Sequence, residues 1–190
     1  MTDFLVLSRA TAQAATSDDD AGLTERHWSY MDGYADRLTA RGPLLGPDRE
    51  TWAGSVHVVG LPDAAATRAF VEQEPYQGAG AYADHSIWRF TNLLGRTMWD
   101  FPGAADEPRF FLVGLAGPTA PQRAAPTPSD ALQKRLIVHG QLHDADLDTP
   151  VGVALAVQAA GRRELDALLA DQLAGYDEIE VHDWEFGGRR

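Results

Sequence analysis

Sliding the chain against itself by 98 positions superposes Asp32 to Ala69 on Asp130 to Ala167 without a gap. Ten pairs are identical: Asp32/Asp130, Arg37/Arg135, Leu38/Leu136, Gly42/Gly140, Leu44/Leu142, Asp48/Asp146, Thr51/Thr149, Gly54/Gly152, Val59/Val157 and Ala69/Ala167. The flanks repeat with shifted offsets: Phe4-Leu5-Val6 echoes Phe111-Leu112-Val113, and Trp88-Arg89-Phe90 echoes Trp184-Glu185-Phe186. A repeat of this length dictates the architecture, because two similar units must bury similar faces. We therefore expect two copies of one module, over 1–92 and 109–190, joined by a connector over 93–108.

Each copy reads as strand, helix, strand, strand, helix, strand. In the first, residues 3–9 are an apolar run of strand length, and Thr24 can cap a helix that runs to Arg41 and stops at Gly42. A short strand around Leu44 follows, then a β-rich segment from Trp52 to Val59. Pro62-Asp63 opens a second helix through about Gln73, and His85 to Phe90 closes the unit. The second copy repeats this over 109–116, 129–139, 141–144, 150–158, 161–173 and 178–186. The predicted fold class is α+β: two ferredoxin-like β-α-β-β-α-β modules packed as an intramolecular α+β barrel, a pseudo-dimer. A four-stranded sheet with helices on one face has its other face bare, and a second sheet covers it. The connector carries Leu93, Leu94, Met98, Trp99 and Phe101 and is expected to pack. The segments Ala14 to Ala21 and Gly117 to Pro128 read as exposed, mobile loops.

Composition excludes several function classes. The formal net charge of −12 and pI near 4.7 disfavour nucleic acid and anionic membrane as partners, since phosphate binding needs clustered cations. No cysteine is present, so disulfides, thiolate metal sites and a cysteine nucleophile are ruled out. The hydrophobic fraction of 44% and mean hydropathy of −0.28 suit a water-soluble globular chain, and no apolar run reaches membrane-spanning length. With no signal-peptide pattern at its start, the chain is expected in the cytoplasm, with a small-molecule ligand as partner, as a monomer with an internal pseudo-dimer or as a homodimer.

Helical spacing sets His27 in a stripe with Tyr30, Met31, Tyr34 and Leu38. A polar ring on such a face needs a partner. It is either a core histidine satisfied by a backbone carbonyl or a general acid/base held by a carboxylate, beside tyrosines able to bond a phenolic or enolic oxygen. Glu74 precedes Pro75, where the turn can aim it inward or leave it solvated. His57 alternates with Val56 and Val58, so it lies either beneath a helix or in the barrel. The aromatics Trp28, Tyr30, Tyr34, Trp52, Tyr76 and Trp88 can line an apolar pocket or fill the core. His139, His143, Asp144, Asp146 and Asp148 have a ligand-like composition but straddle two elements, so no metal site is expected and the cluster reads as solvated surface. No phosphate loop or serine nucleophile motif is present, and no cofactor is expected.

The first copy resembles the YciI-related family over about residues 4–90. The features that carry this are the apolar first strand, Arg26-His27-Trp28, Arg41-Gly42-Pro43-Leu44-Leu45, Gly54-Ser55, and Glu74-Pro75-Tyr76 followed by Gly78 and Gly80. Family members usually carry Asp where Glu74 stands, so the carboxylate here is one methylene longer. The resemblance implies two modules assembling into an α+β barrel and a site made of a histidine and an acid, His27 and Glu74. It also implies chemistry of the kind known in one branch, which eliminates HCl from chlorinated hydroxyhydroquinones. The second copy keeps the framework without the site: Ala125 matches His27, and Gln172-Leu173-Ala174 replaces Glu-Pro-Tyr.

Two functions follow. One is a small cofactor-independent enzyme, a lyase or isomerase, with His27 as base, Glu74 orienting it, and Tyr30, Tyr34, Tyr76 and His57 binding the substrate. The other is a non-catalytic ligand-binding or structural module. A carboxylate within hydrogen-bond reach of His27 in an open cavity favours the first; a sealed His27 bound only to backbone favours the second.

Overall fold

The computed structural model describes residues 1–14, 21–117 and 124–188, so the mobile-loop expectations for 15–20 and 118–123 lie outside the described residues. The first half contains β1 (Thr2–Ala10), α1 (Ala21–Asp32), β2 (Leu38–Leu45), β3 (Trp52–Leu61), α2 (Ala64–Glu72), α3 (Pro75–Gly78) and β4 (Tyr82–Asn92). The second contains β5 (Arg109–Leu115), α4 (Asp130–Gln133), β6 (Leu136–Asp144), β7 (Pro150–Gln158), α5 (Arg162–Leu173) and β8 (Glu178–Trp184). The eight strands close into one antiparallel barrel in the order β1-β3-β2-β8-β5-β7-β6-β4. Each half thus contributes four neighbouring strands in equivalent order, β4-β1-β3-β2 and β8-β5-β7-β6. The halves meet edge to edge as well as face to face, through β4 with β6 and β2 with β8.

The 98-residue offset survives as strand register. Leu38 pairs Val59, Ala40 pairs Val58, Arg41 pairs His57 and Gly42 pairs Val56; Leu136 pairs Val157, Val138 pairs Ala156, His139 pairs Leu155 and Gly140 pairs Ala154. The irregularity between Leu38 and Ala40 recurs between Leu136 and Val138, and the one between Leu44 and Leu45 between Leu142 and His143. Bulges re-aim the side chains that follow them, so equivalent positions in the two halves face equivalent ways.

Both first helices are shorter than expected. α1 stops at Asp32 because Gly33, poor in a helix, introduces turns closed by Tyr34 N on Met31 O at 2.9 Å and Arg37 N on Tyr34 O at 2.8 Å. The chain enters β2 at Leu38, so residues 38–41, expected to be helical, are strand. In the second half, Ser129 caps only the single turn of α4, and residues 136–139, also expected to be helical, belong to β6.

Alternation along the strands separates three cores. Leu5, Leu7, Val56, Val58, Leu44 and Phe90 face the barrel interior together with Phe111, Val113, Ile137, Leu142, Ala154 and Trp184 from the second half. Met98 of the connector is fully buried in this cluster, with Trp99 and Phe101 against it. On the outer face of the first half, Phe4, Val6, Val59 and Phe70 pack with Met31; on that of the second, Leu112, Leu155 and Val157 pack with Leu165 and Leu169. Each fully buried Leu, Val or Phe contributes about 1.5–3 kcal/mol of transfer free energy. Across the barrel, Arg9 of β1 donates from Nε to Glu180 of β8 at 2.9 Å, and His182 Nε2 lies 2.7 Å from the same carboxylate oxygen. Burial alone would raise the Glu180 carboxyl, but the His182 and Arg9 hydrogen bonds outweigh it and hold the group down at about 2.

The repeated glycine of β3 shows how tightly the strands approach. Gly54 has φ +141°, and a Cβ there would lie 2.0 Å from Ser8 O of β1; at Gly152 one would lie 2.3 Å from Gly114 O of β5. Gly54→Ala is expected to cost more than about 3 kcal/mol, at the top of the usual range for one substitution, because backbone rather than a side-chain tip must move. Urea unfolding of the variant beside the parent chain checks this. Among the described residues no helix is long and apolar enough to cross a membrane.

Candidate active site

Because Val56 and Val58 point into the barrel, His57 between them points out, beneath α1. Directly opposite it on β2 stands Arg41, which shares that outer face. α1 and the short α3 cover this part of the sheet and leave a cavity of about 400 Å³ whose wall includes His27, Arg41, Trp52, Ser55, His57 and Tyr76. The site thus lies between sheet and helices.

His27 and Glu74 meet here. Glu74 ends the turn after α2 and caps α3: Pro75 occupies the first helical position, and Gln77 N donates to Glu74 Oε2 at 3.0 Å. The other oxygen, Oε1, lies 2.5 Å from His27 Nδ1. A carboxylate can only accept, so Nδ1 carries a proton, and Nε2 is the ring nitrogen at which a proton can be exchanged. Glu74 is 4% exposed and His27 lines the cavity. His27 is thus held by a carboxylate at the wall of a cavity. Gln77 extends the support, since its Oε1 lies 2.7 Å from His85 Nε2, whose Nδ1 lies 2.7 Å from Ser8 Oγ. The network ties α3 to β4 and β1.

The walls are aromatic and hydroxylic. Tyr76 stacks at 4.8 Å from the His27 ring and 5.2 Å from Trp52, and its hydroxyl lies 2.7 Å from Thr24 Oγ1. Tyr82 donates to Ser55 Oγ at 3.1 Å, leaving the serine hydroxyl hydrogen for another acceptor. Burial pushes the His57 imidazolium well below its ordinary range, and the charge of Arg41, joined by that of His27 when it is protonated, pushes the same way, so His57 is neutral.

Of the residues expected to bind substrate, the structure brings Tyr76 and His57 to the cavity and places Tyr30 and Tyr34 elsewhere. Tyr30 donates its hydroxyl to Phe70 O at 2.8 Å, and both rings pack on Phe70 in the outer core. The stripe is real as a buried face, but it meets α2, and only its edge at His27 reaches the cavity. Arg41, Ser55 and Thr24 line the cavity without having been expected to. The Arg-Gly-Pro sequence was the available signal for Arg41, obscured by reading residues 38–41 as helix.

The second half also contributes. After β8 the chain continues along β2, with Glu185 N on Pro43 O at 3.3 Å and Gly187 N on Arg41 O at 3.0 Å, and brings Gly187 and Gly188 into the cavity wall. A Cβ at Gly42 would lie 1.9 Å from Glu185 O, and one at Gly188 2.3 Å from the Arg41 guanidinium. The position equivalent to Arg41 is His139, and that equivalent to His57 is Leu155.

The ligand-like cluster of the second half does not converge on one point, although His143 Nδ1 lies 3.6 Å from Asp148 Oδ1. Asp144 accepts from Asp146 N and Leu147 N in a turn, Asp146 pairs with Arg68 at 2.7 Å and Asp148 with Arg89 at 3.2 Å. His139 is buried on β6, not solvated, and three residues of strand lie between it and His143, a span of about 13 Å. Among the described residues no three His, Asp or Glu side chains converge to hold a metal. Changing His139 and His143 together to Gln is expected to lower Tm, since His139 is buried, and to leave ligand affinity at the cavity within about twofold. Calorimetry of both properties checks it.

Residues 2–91, which supply most of the cavity wall, match the YCII-related domain family. A search of curated proteins finds no match. Among solved structures, 5-chloro-2-hydroxyhydroquinone dehydrochlorinase (TftG) from Burkholderia phenoliruptrix AC1100, in complex with 2,5-dihydroxybenzoquinone, is similar over 45% of this chain and 89% of its own, at 21% identity and a TM-score of 0.34. A candidate monooxygenase from Lactobacillus acidophilus NCFM matches 97% of this chain and 94% of its own, at 7% identity and a TM-score of 0.49. A candidate chlorite dismutase covers 97% of this chain and 95% of its own, at 10% identity and a TM-score of 0.54; that likeness speaks to the fold alone.

Proposed function

We propose, from the premise that residues 2–91 form a YCII-related domain, that this chain is a small enzyme working without a cofactor. It uses His27 and Glu74 to move a proton on an aromatic or enolisable small molecule, in an elimination or an isomerisation. The observation that carries this reading is the 2.5 Å contact between Glu74 Oε1 and His27 Nδ1, with His27 in the cavity wall.

Glu74 holds the imidazole in the tautomer whose Nε2 accepts a proton, and stabilises the imidazolium that results. Nε2 takes a proton from carbon or oxygen of the substrate, and the electron pair left behind enters the conjugated system. In an elimination that pair expels a leaving group from the neighbouring carbon. In an isomerisation it is reprotonated at a second carbon by the Nε2–H of His27. Ser55 and the Thr24–Tyr76 hydroxyl pair can donate to the oxygen on which charge develops, in a cavity with aromatic walls.

The chain is also proposed to be a tandem duplication, with modules over 1–92 and 109–190, a packed connector between them, and a second copy kept as scaffold. The gapless 98-residue offset and the matching β2–β3 and β6–β7 registers support it. Ala125, Leu155 and Gln172 then stand where His27, His57 and the acid-bearing turn stand in the first copy.

The test is a panel of chlorinated hydroxyaromatic and enolisable ring compounds, followed by chloride release and by proton NMR with the full chain. Turnover of at least one compound is the expected result. Binding of several compounds with turnover of none would leave a ligand-binding module.

A further inference from the structure

Charge is distributed unevenly between the cavity and the rest of the chain. The formal net charge is −12, yet no Asp or Glu stands among the described residues of the cavity wall; its one permanently charged side chain is Arg41. Glu74, the nearest acid to the histidine, has its two oxygens on His27 and on Gln77 N. Arg41 is 4% exposed and held in place: its Nε donates to Gly187 O at 3.2 Å, Nη2 lies 3.9 Å from Asp32, and its backbone N approaches Met98 Sδ at 3.3 Å. Opposite it is the neutral His57, and Trp52 and Tyr76 supply flat walls.

We propose that Arg41 is the specificity-determining residue of this cavity and that it selects a planar ring bearing an anionic oxygen, a carboxylate or a phenolate. The inference rests on the reading of the cavity as the substrate site. A buried guanidinium recognises such a group through charge-assisted hydrogen bonds, which are stronger than neutral ones and little screened by salt when shielded from water. The aromatic walls favour a ring over an aliphatic acid of the same charge. Arg41 orients the ligand by its anionic oxygen, and the proton is exchanged elsewhere on the ring at His27. The second half of the chain takes part in this selection, because Gly187 O fixes Nε and the lack of a side chain at Gly188 leaves the guanidinium its place.

The experiment is calorimetric titration of the full chain with benzoate, with its neutral isostere benzamide, with acetate and with 4-nitrophenol. The visible band of 4-nitrophenol distinguishes phenol from phenolate. Benzoate, or 4-nitrophenol bound as its phenolate, is expected to bind at least about tenfold more tightly than benzamide, and acetate more weakly than benzoate. Whichever of the two ring anions binds identifies which oxygen acid the cavity takes. Arg41→Gln is expected to remove most of that preference while leaving benzamide affinity unchanged, and Arg41→Lys to keep part of it. Equal affinity for benzoate, 4-nitrophenolate and benzamide in the parent chain overturns the proposal, and that comparison needs no variant to fold. An undiminished preference in a folded Arg41→Gln protein overturns it equally. Turnover is not measured, so the proton-transfer reading stands or falls separately, on His27.

Discussion

Replacing His27 with Gln is expected to leave the barrel folded and to lower turnover by about 10²-fold or more, the usual contribution of a positioned acid/base. The fold should survive because the Gln amide can still donate to Glu74 Oε1, and Tyr76 keeps its contact with Trp52 when the one with the imidazole is lost. Glu74→Gln should show a weaker loss of turnover. Its amide oxygen can still accept from Gln77 N, so α3 stays capped, while the charge that stabilises the imidazolium is gone. If His27 served packing alone, His27→Gln would instead lower stability by about 1–3 kcal/mol and leave activity per folded molecule intact. Urea unfolding and specific activity of the same preparations separate the two.

Truncation at residue 92 is expected to convert a discrete chain into an aggregating or obligately dimeric fragment. Cutting there bares the β2 edge that pairs β8 and the β4 edge that pairs β6. It also exposes the interior face carrying Leu5, Leu7, Leu44, Val56, Val58 and Phe90. Unpaired edges and a contiguous apolar face are the two features that drive association. The fragment also lacks Gly187 and Gly188, so even as a dimer it should bind ligand only if another segment replaces that wall. Sedimentation of residues 1–92 checks the first point, and a stable soluble monomer would contradict it.

The mixed α/β character with a large antiparallel sheet was legible from the order of strand-like and helix-like runs, and the 98-residue offset has a counterpart in the ladders: every pair quoted above for β2–β3 recurs 98 residues on. The end of α1 was not legible. Tyr34 and Leu38 continue the apolar spacing of His27 and Met31, and a helix face and a strand entering the same core both place apolar residues inward, so periodicity alone ran through Gly33. Arg41 goes with it, since spacing sets that residue at the end of a helix, whereas on β2 it is buried opposite His57. His57 could be placed between two valines but not on a side, because alternation defines two faces without saying which one a helix covers. Tyr30 and Tyr34 were grouped with His27 by spacing; the buried stripe is wide enough that its two sides touch different things, α2 on one and the cavity on the other. Glu74 is 47 residues from His27, and no local pattern joins them. Only the capping turn of α3 brings that carboxylate back to the helix.

The most direct measurement of His27 as the base of this cavity is deuterium incorporation from D2O into carbon of a bound enolisable ring compound, followed by proton NMR with the full chain and its His27→Gln variant at saturating ligand. Incorporation well above the buffer rate with the parent chain, and its fall toward the buffer rate in the variant while ligand affinity persists, is the expected result. Equal incorporation by the two proteins would contradict it and move the chemistry away from His27.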